Sequence, residues 1–213
     1  MNENLLVQWL TLATRVMSEP LISSPVAMLI GETADNEDSV LMKGANLLCR
    51  GFVRRLVLPT RESEKFGFAG VDYCLHFLEE SCDVNLGAVD ILEHNPGLGD
   101  PNTMTELVCF AEYAKHHHLS GATVVAAPFH QLRSFVTAVT VALREMPTFR
   151  FQSCVGYPLD WSDSALHSQG TIQGTREDLF RGEVERIIRY QNPNNKPYPL
   201  TLVDEVLKYL NCS

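Results

Sequence analysis

Five short apolar runs punctuate the chain, at residues 26–31 (VAMLIG), 54–60 (RRLVLPT), 88–94 (AVDILEH), 122–128 (ATVVAAP) and 149–158 (FRFQSCVGYP). Unbroken apolar runs of this length mark strands covered on both faces, as in a parallel sheet. The fifth run alternates more. Between the runs lie stretches with helical spacing, at residues 38–51, 67–82, 103–119 and 130–145. Asp38 or Ser39 is the expected cap of the first of these. Ahead of the first strand, residues 4–19 place Leu5, Leu6, Trp9, Leu10, Leu12, Ala13 and Val16 on one broad helical face. Residues 159–175 are polar and predict irregular chain, after which residues 176–190 and 200–210 return to a helical pattern. Strands alternating with helices of this length predict β-α-β units and a parallel sheet. The expected fold is an α/β three-layer sandwich with extra N- and C-terminal helices. One domain is predicted, made of an N-terminal helix (1–24), a core of sheet and helices (25–158) and a C-terminal helical extension (159–213).

Composition refines this picture. A chain of 213 residues, 45% apolar and 20% charged, can bury a substantial core. A formal net charge of −9 disfavours nucleic acid or an anionic membrane as the main partner. No apolar run reaches the length of a membrane span, and the N-terminus lacks a basic region and cleavage site, so a cytoplasmic protein is expected. None of the six cysteines forms a CxxC pair, and Cys49, Cys74, Cys109 and Cys154 lie in apolar segments, which predicts reduced, buried thiols. His116, His117 and His118 are consecutive. On a helix they point about 100° apart, and they predict a solvated helix end rather than a metal site.

Candidate chemistry gathers where such a sheet binds ligands, outside the carboxyl ends of its strands. The first run ends in Gly31, Glu32, Thr33 and Asp35, and the second in Thr60, Arg61, Glu62 and Ser63. The third is followed by Glu93, His94, Asn102, Thr103 and Glu106, and the fourth by His130 and Arg133. His130 and Arg133 enter the first turn of a helix, whose free N–H groups and positive dipole end favour an anion. In an enzyme, His130 would be the general acid or base, Arg133 would hold the anion and Glu106 would orient or exchange a proton. Gly31, Glu32, Asp35, Thr60, Asn102 and Thr103 complete the expected ligand-binding set. The same residues also fit plainer roles. His130 suits a helix cap, Arg133 a surface ion pair, and Thr103-x-x-Glu106 a capping box. The expected partner is a small anionic molecule, nucleotide-like or phosphorylated. A non-catalytic binding protein, or a scaffold that forms a homo-oligomer through its terminal helices, stays open beside it. No P-loop, dinucleotide fingerprint or Gly-x-Ser-x-Gly elbow is present.

Several of these segments carry a family resemblance. VAMLIG (26–31), Gly44-x-x-Leu47-Leu48-x-x-Gly51, Asn102-Thr103-Met104-Thr105-Glu106-Leu107 and Phe129-His130-Gln131-Leu132-Arg133 follow in the order of the signature elements of the SanA/ElyC/YdcF family of bacterial proteins. The chain resembles that family over roughly residues 25–190, the closing Arg/Glu-rich segment 176–190 included. It departs from the pattern with a single glycine after the first strand, Pro59-Thr60 where Ser-Gly is usual, and Leu107 in place of asparagine. The resemblance implies a Rossmann-like fold, a link to cell-envelope processes and, from one type of member, S-adenosylmethionine as a cofactor.

Overall fold

The structure, a computed structural model, describes residues 3–60, 67–167, 172–194 and 198–211. Helix α1 (Glu3–Ser18) leads into strand β1 (Val26–Leu29), followed by α2 (Ala34–Cys49), β2 (Arg55–Pro59), α3 (Val71–His76), β3 (Val89–Leu92), α4 (Thr103–His116), β4 (Gly121–Ala126), α5 (Gln131–Glu145) and β5 (Arg150–Val155). The first five strands form one parallel sheet in the order β3-β2-β1-β4-β5. The expected Rossmann-like three-layer sandwich is therefore the fold.

Strand periodicity of two divides the interior into two cores. Val26, Met28 and Ile30 point to one face with Ala122, Val124 and Ala126, where α1, α4, α5 and the C-terminal α7 (Val203–Asn211) cover them. Ala27, Leu29 and Val125 point to the other face, under α2 and α3. Gly44 lets α2 close on β1, since a Cβ there would stand 2.8 Å from Leu29 Cδ1. The β5 edge is covered without a further strand. Ile22 exchanges two hydrogen bonds with the Gln152 side chain, and Tyr209 of α7 accepts from Phe151 N–H and donates to the Phe149 carbonyl. Such cover protects an edge from pairing with other chains.

Three sequence expectations change. Helix α2 begins at Ala34, with Thr33 at its N-cap, and not at Asp38 or Ser39. The stretch 159–175 holds a short antiparallel pair, β6 (Ser164–Leu166) and β7 (Gln173–Thr175). It leads into α6 (Arg176–Gln191), which spans both cores, with Leu179 in one and Ile187 in the other. Of the cysteines, Cys74, Cys109 and Cys154 are buried but Cys49 is exposed. Burial, reinforced by the Glu37 carboxylate, pushes the Cys74 thiol up, and burial pushes Cys154 up to about 11, so neither is a ready nucleophile. Among the described residues no helix is long and apolar enough to cross a membrane.

Candidate functional site

The chain runs outward from β1 to β3 on one side and from β4 to β5 on the other, so the topological switch point lies between β1 and β4. Glu32 leaves β1 there and His130 leaves β4 there. Both are fully buried, and they meet. His130 Nδ1 lies 2.7 Å from Glu32 Oε1, and the same oxygen accepts the Ala127 N–H at 3.2 Å. Glu32 is in turn fixed through its own N–H, which donates to Glu37 Oε2 at 2.8 Å. The Glu32 carboxylate thus binds the turn that leads from β4 into α5.

Hydrogen bonding settles the tautomer of His130. Arg133 Nη2 lies 2.7 Å from His130 Nε2, and a guanidinium only donates. Nε2 therefore accepts, and Nδ1 carries the proton that goes to Glu32. Thr103 Oγ1 stands 3.3 Å from the same Nε2 and 3.2 Å from Arg133 Nη1. Arg133 continues the chain of contacts to Glu183 of α6, which also accepts from His167 Nε2 and, at 3.0 Å, from Arg186 Nη1. Burial alone would lift the Glu183 carboxyl, but Arg133 and His167 outweigh it and hold the group well below the usual carboxylate range. Burial also keeps the His167 imidazole below its ordinary 6.5, against the upward pull of Glu183. The result is a continuous buried network from β1 through α5 to α6. Arg133 pairs with a buried acid of α6, not with a surface acid, and His130 stands at the N-cap position of α5 without a capping bond from its side chain.

Asn102 is the N-cap of α4. It accepts from Met104 and Thr105 N–H, while Thr105 Oγ1 accepts from its backbone. The capping box is therefore Asn102 with Thr105, one residue earlier than Thr103 with Glu106, and this register releases Thr103 to reach His130. Glu106 and Thr60 share a space of only about 10 Å³ with His94, and Thr60 Oγ1 donates to the Leu92 carbonyl. That volume suits about one water, not a metabolite. His94 bonds the Gly99 carbonyl at 2.7 Å rather than joining His130. Asp35 is a structural tie, accepting from Thr33 Oγ1 and from Leu166 N–H of β6. Gly31 is buried in the turn that delivers Glu32. Arg61, Glu62 and Ser63 lie outside the described residues.

A cleft among the described residues reaches the network at Arg133. It has a volume of about 260 Å³ and is lined from α4, α5, α6 and the chain before α7, with Arg133, Arg186, Tyr190 and Tyr198 among its walls. Glu183, Arg186 and His167 had no place in the sequence reading. The three-residue step from Glu183 to Arg186 was a visible signal, whereas His167 sits in a polar stretch with no periodicity to single it out. Compared with known proteins, the chain matches no family model, no curated protein and no solved structure.

Proposed function

We propose that this protein binds a small anionic metabolite in the cleft that borders Arg133 and Arg186. The observation that carries this reading is a coincidence of place. A histidine and an arginine from the start of α5 stand at the switch point of a Rossmann-like sheet, and the cleft that borders the arginine contains a second one. Ligands favour such crevices, and guanidinium groups favour carboxylates and phosphates. The resemblance to the SanA/ElyC/YdcF family adds S-adenosylmethionine to the classes worth testing.

A catalytic version has its own support. Glu32, His130 and Thr103 stand in the order acid, imidazole, hydroxyl, and Glu32 Oε2 is buried with no hydrogen-bond partner among the described residues. Buried acceptors left open are rare in folded proteins and recur at sites of chemistry. In that version His130 exchanges the proton once Arg133 turns from Nε2 toward a bound anion.

The test is thermal stabilisation against nucleotides, sugar phosphates, S-adenosylmethionine and simple carboxylates, each referred to the ligand-free form of the same variant. A ligand at 100 times its dissociation constant stabilises by about 2.7 kcal/mol. The expected result is a shift in the wild type that is lost in Arg133→Ala. Full affinity in that variant, or silence from every anion, would overturn the proposal. Turnover that disappears in His130→Ala would select the catalytic version.

A further inference from the structure

The chemistry of the cleft narrows its occupant, an inference that rests on the anion-binding reading above. At about 260 Å³ it is slightly smaller than the ~300–1,000 Å³ of typical small-molecule sites. Several of its polar neighbours are committed to the protein. Asn102 Oδ1 caps α4, Thr105 Oγ1 closes the capping box, and Thr137 Oγ1 donates to the Arg133 carbonyl. The cationic groups at the wall are Arg186 and Arg133, the latter already bonded to Glu183, Thr103 and His130, and the cleft is otherwise rich in apolar and aromatic side chains, with Leu98, Met104, Tyr198 and Leu200 among them. Arg186 spends one N–H on Glu183, its hydrogen bond among the described residues, and has five donors.

The two guanidiniums are also partly neutralised from behind. Both bind the ionised Glu183, while His167, on the same carboxylate, is held neutral by burial. Two positive charges less one negative leave a local excess of one. A phosphomonoester brings about −1.5 to −2 charges near neutral pH. It would overfill this field and confront Glu183 across the arginines. A carboxylate brings one charge and matches the flat fork of a guanidinium. The geometry points to a monocarboxylate with an apolar or aromatic body as the ligand of this cleft, its carboxylate on Arg186, in the field of Arg133, and its body against Tyr198, Leu98 and Leu200.

Calorimetric titration of the full chain decides it, with phenylacetate, 4-methylpentanoate and indole-3-acetate as probes. Acetate, phenylacetamide, inorganic phosphate and adenosine monophosphate serve as controls. At least one apolar monocarboxylate is expected to bind ten times or more tighter than acetate, phosphate or the nucleotide, and phenylacetamide is expected to give no heat. Arg186→Gln and Tyr198→Ala should each weaken that probe tenfold or more, and Tyr198→Ala, at a half-exposed ring, should keep its thermal midpoint near wild type. Should Arg186→Gln fail to fold, the ordering of the probes on the wild type still decides. Tighter binding of phosphate or the nucleotide than of every monocarboxylate would overturn the monocarboxylate assignment and leave the anion site standing. Equal binding of the amide would show an apolar pocket without an anion subsite and remove the monocarboxylate assignment, as would silence from all the probes, while the anion reading falls only with the wider panel above.

Discussion

Arg133 and Glu183 lie fifty residues apart in sequence and touch in a space where less than a tenth of either side chain is exposed. A buried ion pair adds little net stability, because desolvation offsets most of the attraction, but removing one partner strands the other. Arg133→Ala is therefore expected to lose about 3–5 kcal/mol in urea denaturation. The double variant Arg133→Met/Glu183→Leu should lose much less than the sum of its two single variants, and additive losses would mean that the pair is not coupled. Acid acts on the same cluster. His167 is depressed from 6.5, so the unfolded chain takes up its proton first, and its contribution is complete above pH 6.5 and declines as pH falls below it. Glu183 is depressed from 4.5, and its contribution declines below pH 4.5 by the same sign. Stability measured between pH 8 and pH 3 should fall in two stages, and His167→Gln should flatten the upper one. A stability that stays flat from pH 7 down to pH 5 would count against a buried neutral His167.

Helix starts decide which side chains reach the cluster, and here the limits of sequence legibility have a physical cause. The five parallel strands were visible because strands buried on both faces leave unbroken apolar runs. The start of α2 was placed four residues late because its first turn buries polar groups, Asn36 and Glu37, which do not register as an apolar face. Strands β6 and β7 have three residues each, too few to show alternation. His130 and Arg133 were legible as a pair because one helical turn carries both. Glu32 and Thr103 were legible as strand-end polar groups but not as partners of that pair, and His167 and Glu183 were not legible at all, since the four arrive from four other segments. The capping register of α4 gives a direct check at this scale. Asn102→Ala removes an acceptor for two N–H groups and should cost about 1 kcal/mol, within the range of 0.5–2 for such caps. If Thr103 were the cap instead, Thr103→Asn would be neutral. The Asn102 register predicts that this substitution is clearly destabilising, because Thr103 is buried against His130 and Arg133. Urea midpoints of the two variants separate the registers.

Across the whole molecule, elements outside the five-stranded sheet complete what the sheet leaves open. Helix α6 closes over the switch point and supplies Glu183, while α7 and the chain after α1 cover the β5 edge. The first helix has two faces that ask different questions. Trp9, Leu12 and Val16 belong to the larger core, and the Val16 carbonyl accepts from Ser153 Oγ of β5, which itself accepts from Gln131 of α5. Leu6, Val7 and Leu10 remain exposed. A scaffold that pairs through α1 would need only the second face, whereas the fold needs the first. Burying a large apolar side chain contributes about 1.5–3 kcal/mol, so the three inner residues together contribute about 4.5–9 kcal/mol, as an upper estimate. The stability of a whole domain is of order 5–15 kcal/mol. A chain that begins at residue 20 should therefore lose its cooperative thermal transition or melt far below the full chain. Leu6→Ser with Leu10→Ser should melt within a few degrees of wild type, since neither side chain is in the core. If the shortened chain melted normally, α1 would be an appendage and its exposed leucines the better clue to its role. If it unfolds while the double serine variant stays folded, α1 belongs to the covering layer of the sandwich, and the cleft beside Arg133 is built on a core that includes it.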